Sequence, residues 1–416
     1  MKHKRFLLGG LAASAAAIAL TATLSPLGAN AVNPESTADE PTAEAAENRV
    51  VGYYTDWSTY QRDFQVKDLD TSGAADELTH IVYAFGNVTN GKCAVGDSYA
   101  DHEKKTFTAE QSVSGEADTW DQEVAGNINQ LRQLKEKHPQ LKVLWSFGGW
   151  TWSGGFGEAS KDPAAFAASC HDLVEDERWA DVFSDGIDID WEYPNATGLS
   201  EDTSGFDAYR ELLSAVRTEF GDDLVTSRSP PTAPRAARSS RRLRRCRAVR
   251  RLVHADDLRL LRRLQRPGPD RAALAADRLR RGAEPGLRHR DRDRQAEEPG
   301  HPGREAAAGH RFLRPRWTGV TQDEPGGTAT GAAPGTYEAG IEDYKVLKDK
   351  CPATGEVAGT AYAHCGDQWW SYDTPETIAG KTAWAKEQSL GGSFFWDLSG
   401  DTDDAELTKA VSNGLK

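Results

Sequence analysis

Between Arg228 and Arg316 the chain has no lysine, tyrosine, tryptophan, isoleucine, asparagine or methionine, and Phe312 is the one aromatic residue there. Tyrosine and tryptophan are dense on both sides, so these 89 residues cannot build an ordinary hydrophobic core. Cysteine is sparse as well: five in 416 residues, at spacings that fit no zinc template. After Leu24 no long apolar run follows, which excludes a series of membrane spans.

The formal charge of -14 averages two unlike regions. Arg228 to Arg316 holds 26 Arg against 10 acidic residues, a net +16, and the remainder has 24 basic and 54 acidic residues, a net -30. One reading of the block is a basic arm for nucleic acid or another anionic polymer. The reading favoured here is GC-rich coding sequence translated out of frame, which enriches Arg, Ala, Pro and Gly and removes Lys, Ile, Asn and Tyr. Shifted by one base, codons for Asp256-Asp257-Leu258-Arg259 and the following leucine can encode Met-Thr-Tyr-Asp. The next residues, Leu260 to Arg266, can encode Phe-Phe-Gly-Ala followed by an aromatic residue and Asn or Ser. The expected frame loss is near Thr226 and the recovery near Trp317.

Lys2, Lys4 and Arg5 precede an apolar run from Phe6 to about Leu24, then a small-residue exit at Gly28-Ala29-Asn30-Ala31. This is the pattern of a signal peptide cut after Ala31, giving a secreted, extracellular protein with no membrane attachment after cleavage. A retained anchor is the rival, disfavoured by the small residues of the run and its end at Pro26. Val32 to Asn48 is rich in Pro, Ala, Glu and Thr and reads as a disordered linker. The expected domains are therefore 1–31, 32–48 and a catalytic region 49–416. Secretion favours disulfides among Cys93, Cys170, Cys351 and Cys365, with Cys246 inside the anomalous block. Of three possible pairings, Cys93 with Cys170 and Cys351 with Cys365 is the one expected.

The length allows one large barrel or two ordinary domains. Arg49 to Tyr54, His80 to Phe85, Lys142 to Phe147 and Gly186 to Trp191 are short, mostly apolar and rich in β-branched or aromatic residues, so each reads as a strand. Between and after them, Glu123 to Lys137, Pro163 to Leu173 and Phe206 to Phe220 repeat apolar residues at helical spacing. Gly392 to Leu398 reads as a last strand and Ala405 to Leu415 as a closing helix. Strand-helix repetition implies a parallel sheet. With four strands before the block and one after, a (β/α)₈ TIM barrel needs three more, so strands five to seven are expected to fall in the unreadable segment. Residues 318–373, Gly-rich at first and then carrying Ala361-Tyr362 and Trp369-Trp370, read as a small α+β insertion.

Asp185, Asp188, Asp190 and Glu192 lie in Ser-Asp-Gly-Ile-Asp-Ile-Asp-Trp-Glu-Tyr-Pro. Period-two alternation puts Asp188, Asp190 and Glu192 on one face, toward the barrel axis. Crowded carboxylates in a poorly solvated interior raise at least one pKa, and Glu192, nearest the C-terminal mouth, is the candidate proton donor. A Mg²⁺ or Ca²⁺ site or a solvated acidic edge is the alternative; the intervening Ile187, Ile189 and Trp191 argue for a buried strand.

This stretch resembles the Asp-x-x-Asp-x-Asp-x-Glu motif of the family 18 chitinases, and Ser146-Phe147-Gly148-Gly149 resembles that family's Ser-x-Gly-Gly motif. The resemblance covers Arg49 to about Val225 and Trp317 to Leu415, and omits the family's Met-x-Tyr-Asp motif. It implies hydrolysis of β-1,4 bonds between N-acetylglucosamine units by substrate-assisted retaining catalysis, without metal or cofactor. Glu192 would protonate the glycosidic oxygen, Asp190 would orient the acetamido group that attacks the anomeric carbon, and Asp188 would share a proton with Asp190. Trp396 would floor the cleavage subsite, with Tyr53 and Phe85 lining it and Gly149, Trp150 and Tyr193 along the cleft. Taken alone, Tyr53 and Phe85 could equally be core residues, and Trp152, Trp369 and Trp370 are left between cleft and packing. The implied partners are chitin or chito-oligosaccharides, not nucleic acid, and the protein is expected to be a monomer.

Other readings remain open. An endo-β-N-acetylglucosaminidase acting on glycans could use every one of these acids, and a carbohydrate-binding barrel without activity would suit the missing motif. If the block is translated as written, strands of a closed sheet lack partners and an inactive product is expected.

Overall fold

The computed structural model describes residues 48–194, 202–227, 307–311 and 313–416. The expected signal peptide, the linker up to residue 47, Cys246 and the Arg-rich block from 228 to 306 lie outside the described residues.

The central element is one curled parallel sheet. It contains β1 (Arg49–Thr55), β2 (His80–Thr89), β4 (Lys142–Gly148), β5 (Gly186–Asp190), β6 (Leu224–Ser227), β7 (Ala308–Arg311) and β14 (Gly392–Trp396). The spatial order is β6-β5-β4-β2-β1-β14-β7, and β3 (Lys92–Ala94) adds antiparallel to β2. Helices Gly126–Lys137, Pro163–Val174, Gly205–Glu219, Pro375–Glu387 and Glu406–Leu415 follow strands along the chain, as a parallel (β/α) barrel requires.

Alternation along each strand separates two kinds of interior. Val50, Tyr54, Ile81, Tyr83, Val143, Trp145, Phe147, Ile187, Ile189 and Phe395 belong to one large apolar cluster with the helices. Their neighbours Val51, Tyr53, Val82, Ala84 and Phe394 pack in a separate, smaller cluster with Phe85. The period of two therefore puts the bulk of the hydrophobic driving force between sheet and helices, and leaves the other face of the sheet to a mixed set in which Ser146, Asp188 and Asp190 are buried.

Two strands differ from the sequence expectation of four before the block and one after it. β6 follows helix Gly205–Glu219 and pairs in register with β5, Asp188 opposite Thr226. It was overlooked because only Leu224, Val225 and Thr226 carry its strand character before the composition changes. β7 lies inside the block assigned as unreadable, and its Ala308 to Arg311 pair with Ser393 to Trp396 of β14. The small residues there admit the pairing: Ala307 and Ala308 are buried, and a Cβ on Gly309 would stand 2.4 Å from the Phe394 ring.

Residues between β7 and helix Pro375–Glu387 form a second, antiparallel sheet. Its strands are β8 (Leu313–Thr318), β9 (Gly331–Ala332), β10 (Ile341–Asp343), β11 (Gly355–Val357), β12 (Thr360–Cys365) and β13 (Gln368–Tyr372), in the order β10-β8-β13-β12-β11 with β9 on β8. Helix Pro375–Glu387 was not anticipated. Its start is well specified by Pro375 and a Thr374/Thr377 capping box, but its buried face includes Thr377, Lys381 and Thr382, which blurs the apolar period.

Both expected disulfides are formed, with Cα–Cα separations of 4.9 Å for Cys93–Cys170 and 5.8 Å for Cys351–Cys365. The first closes a loop of 77 residues around β4. Cys93→Ser is expected to cost about 2–4 kcal/mol, read as a lower urea midpoint. An unchanged midpoint under oxidising conditions would mean that the link contributes nothing.

Candidate functional site

β5 carries the acids. Its outward Ile187 and Ile189 are fully buried against the helices, and Trp191 stacks on Phe156 at 5.0 Å. The opposite face holds Asp188 and Asp190, both buried, with Glu192 buried just beyond the strand's C-terminal end. Asp185, the first acid of the motif, serves elsewhere: its carboxylate accepts from Lys135 Nζ at 2.6 Å and from the Val143 backbone N–H at 2.9 Å, tying the start of β5 to β4.

Asp188 is held by hydroxyls from three other strands. Tyr53 OH on β1 donates to Oδ2 at 3.3 Å, Ser146 Oγ on β4 to Oδ2 at 2.7 Å, and Thr226 Oγ1 on β6 to Oδ1 at 2.6 Å. Both oxygens of this fully buried carboxyl group are thus hydrogen-bonded. The Glu192 backbone N–H donates to Ser153 Oγ at 2.8 Å, and the Ser153 hydroxyl lies 2.7 Å from the Gly149 carbonyl and 3.1 Å from the Asp190 carbonyl. One serine thus links the end of β5 to the turn after β4.

That turn explains the paired glycines. Gly148 and Gly149 both have positive φ, 112° and 69°. A Cβ on Gly148 would sit 2.4 Å from the Asp190 carbonyl oxygen, and one on Gly149 2.5 Å from the Phe85 ring. Neither position admits a side chain, on conformational or on steric grounds.

The aromatic wall forms around Trp396 at the end of β14. Phe85 stacks on Trp396 with centroids 5.7 Å apart, and Tyr53 lies 5.3 Å from it at a tilt. Trp57, which sequence reasoning missed, completes the group at 6.1 Å from Phe85 and 6.2 Å from Trp396. At 39% exposure it is one of the few large aromatic side chains open to solvent among the described residues. Its signal in the sequence was a lone Trp in the polar loop after β1. Trp152 packs on the same apolar cluster. Trp150 is half-buried in the turn Gly149–Trp152 and makes no ring contact with this group, while Tyr193 is buried directly after Glu192. Trp369 and Trp370 belong to β13 of the second sheet, and Trp369 stacks on Tyr362 at 5.7 Å, which makes it a packing residue.

The second sheet is tied to this wall through Arg62. Its guanidinium donates to both oxygens of the buried Asp343, at 2.8 and 2.7 Å, and lies 4.2 Å from the Tyr337 ring centroid. Asp397, next to Trp396, is fully buried; burial raises its pKa, opposed first by the Arg62 charge. No cluster of three or more His, Cys, Asp or Glu able to hold a metal ion occurs among the described residues, and no helix among them is long and apolar enough to cross a membrane.

Buried carboxylates beside an aromatic wall, at the C-terminal end of the strands of a parallel barrel, supply the groups that binding a ring face and transferring protons would need. The sequence profile of Glycosyl hydrolases family 18 matches residues 49–244 and 291–401, more than half of the chain, and the chain belongs to that family. The profile skips 245–290, inside the Arg-rich block. Chitinase 63 of Streptomyces plicatus is 50% identical over 383 residues, covering 91% of this chain and 62% of its own length. Chitinase C of Streptomyces lividans is 52% identical over 358 residues, covering 85% and 57%. This chain thus spans less than two thirds of either relative. The catalytic domain of psychrophilic chitinase B from Arthrobacter TAD20 superposes with a TM-score of 0.75 at 32% identity, over 89% of this chain and 95% of that one.

Thr226→Val removes one donor from a buried carboxylate at nearly constant volume. A loss of about 1–3 kcal/mol is expected in denaturant unfolding, and no loss would mean that the Thr226 hydroxyl does not support Asp188.

Proposed function

We propose that the chain is a chitinase that hydrolyses β-1,4 bonds between N-acetylglucosamine units with retention of configuration. The observation that carries this reading is the burial of Asp188 and Asp190 on one face of β5, with Glu192 buried just beyond it and Tyr53 of the Tyr53–Phe85–Trp396 wall bonded to Asp188. Relatives named as chitinases, at about half identity, support it. Glu192 acts as general acid toward the glycosidic oxygen and later as base toward water. The substrate's acetamido oxygen is the nucleophile, Asp190 orients it, and Asp188 shares a proton with Asp190. Trp396, with Tyr53 and Phe85, receives the apolar face of the pyranose ring, and Gly149, Trp150 and Tyr193 border the cleft. Secretion through the N-terminal segment, followed by action on extracellular chitin or chito-oligosaccharides, fits this assignment.

Glu192→Gln keeps the shape and removes the proton. Hydrolysis of chitotetraose should fall by about 10²–10⁴-fold or more, with binding of chitotetraose retained. Residual activity within a few-fold of the parent would remove Glu192 from the role. Parallel assays on chitotetraose and on a glycoprotein N-glycan separate chitinase from endo-β-N-acetylglucosaminidase, since only the second class prefers the glycan.

The Arg-rich block belongs to the same proposal. β6 is regular through Ser227, whereas the family profile runs on to residue 244 and resumes at 291, so its gap is narrower than the block. Resequencing across the codons for Thr226 to Trp317 should reveal a paired frame change whose correction encodes Met-x-Tyr-Asp. The corrected chain should hydrolyse chitotetraose at a rate well above the chain as written. Confirmation of the present frame, with equal activity of both chains, would refute the frame reading.

A further inference from the structure

Behind the aromatic wall lies a buried acidic pair that the proposed chemistry does not use. Asp56 opens the short turn Asp56–Thr59 after β1, and Asp101 lies in the helical turn Tyr99–Glu103; both are essentially inaccessible. The Asp56 carboxyl takes backbone hydrogen bonds from Phe85 and Trp57, two members of the wall. Asp101 Oδ1 accepts from Tyr83 OH, and Asn127 Nδ2 donates to that same tyrosine oxygen at 3.3 Å and to the Asp56 carbonyl at 3.0 Å. Within this connected group, Asp56 Oδ2, Asp101 Oδ2 and Asn127 Oδ1 are all buried and have no partner at hydrogen-bond geometry among the described residues, while the Asp101 carboxyl also takes backbone hydrogen bonds from Asp97 and Gly96. Three buried acceptors without a donor are costly, and protonating a carboxyl supplies the missing donor.

We propose that Asp56 and Asp101 share a proton in the folded protein and act as positioning residues, holding the backbone at Trp57 and Phe85 and through it two aromatic faces of the cleft. The surrounding charges agree with a shared proton. Burial, then the Asp101 charge, raises Asp56 to about 9, and burial, with Asp97 adding to it, raises Asp101 to about 8 against the Tyr83 hydrogen bond. These values describe the titration of the pair. The ionisable groups facing the pair are Asp97, Tyr54 and Tyr83, and both tyrosines are themselves raised by burial and by Asp56. The nearby Lys104 amine is engaged by Thr59 Oγ1 at 2.5 Å. Because the folded values lie above the usual carboxylate value, the folded state holds the extra proton and loses the associated stability as pH rises through about 8 and about 9.

The consequence for sugar binding rests on the chitinase reading, whereas the pair itself does not. The test is Trp57 emission in the full chain, taken as the difference from Trp57→Phe, from about pH 5 to about pH 10. A transition is expected between about 8 and about 9. It should move to lower pH in Asp101→Asn, which keeps the Tyr83 contact, and in Asp56→Asn the step at about 9 should vanish, leaving only the Asp101 step at about 8. Over the same interval the KM for chitotetraose should rise several-fold while kcat changes little. A flat difference signal, a midpoint unchanged in Asp101→Asn, or a signal that responds to Ca²⁺ or EDTA instead of pH would overturn the pair. If Asp101→Asn does not fold, persistence of the step at about 9 in Asp56→Asn would overturn it equally. Failure of Glu192→Gln to bind chitotetraose at any pH, with the Trp57 transition intact, would sink the chitinase reading and leave the pair standing.

Discussion

Asp188 is a carboxylate closed inside a barrel, and it is held there by Tyr53, Ser146 and Thr226 from three other strands. A buried charge without such donors would cost several kcal/mol. The register of β1, β4, β5 and β6 is therefore bound to one side chain: a slip of one residue would turn its partners away from it and send Ile187 and Ile189 to the inner face. Asp190, two residues on, shares the face of Asp188 through the same register, and Glu192 follows just beyond the strand.

The close approach around this carboxylate sets the next layer. Gly148 and Gly149 let the turn after β4 pass against the Asp190 carbonyl and the Phe85 ring, and Ser153 then reaches both the turn and the Glu192 backbone. Phe85 is shared between that turn and Trp396, so acids and aromatic wall meet through one ring. Arg62 and Asp343 extend the arrangement to the second sheet, with a bidentate pair in which Asp343 is fully buried and Arg62 nearly so. The geometry is fixed on one side by hydroxyls and backbone, and on the other by ring packing and an ion pair.

Much of this was legible before any coordinates. The acidic strand, the two glycines and the first, second, third and last recognisable strands are written in short local patterns, and local patterns survive reading one residue at a time; the disulfide pairings were one choice among three. The strands that were overlooked are of another kind. β6 has only four residues, and β7 is an Ala-Gly-His-Arg segment that counts as a strand because β14 lies beside it. Trp57 is likewise ordinary as a loop residue and significant only through its distances to Phe85 and Trp396.

By itself the sequence determined which side chains could do chemistry and which face of β5 they share, because a period of two is a covalent property of an extended chain. It also marked off the Arg-rich block, since composition needs no fold to be read. Only the tertiary structure decided which hydroxyls reach Asp188, which rings surround Trp396, and that Asp56 and Asp101 lie together behind them. Those contacts join residues tens to hundreds of positions apart, and what brings them together is the curling of the sheet and burial of its outer face, which no local pattern encodes.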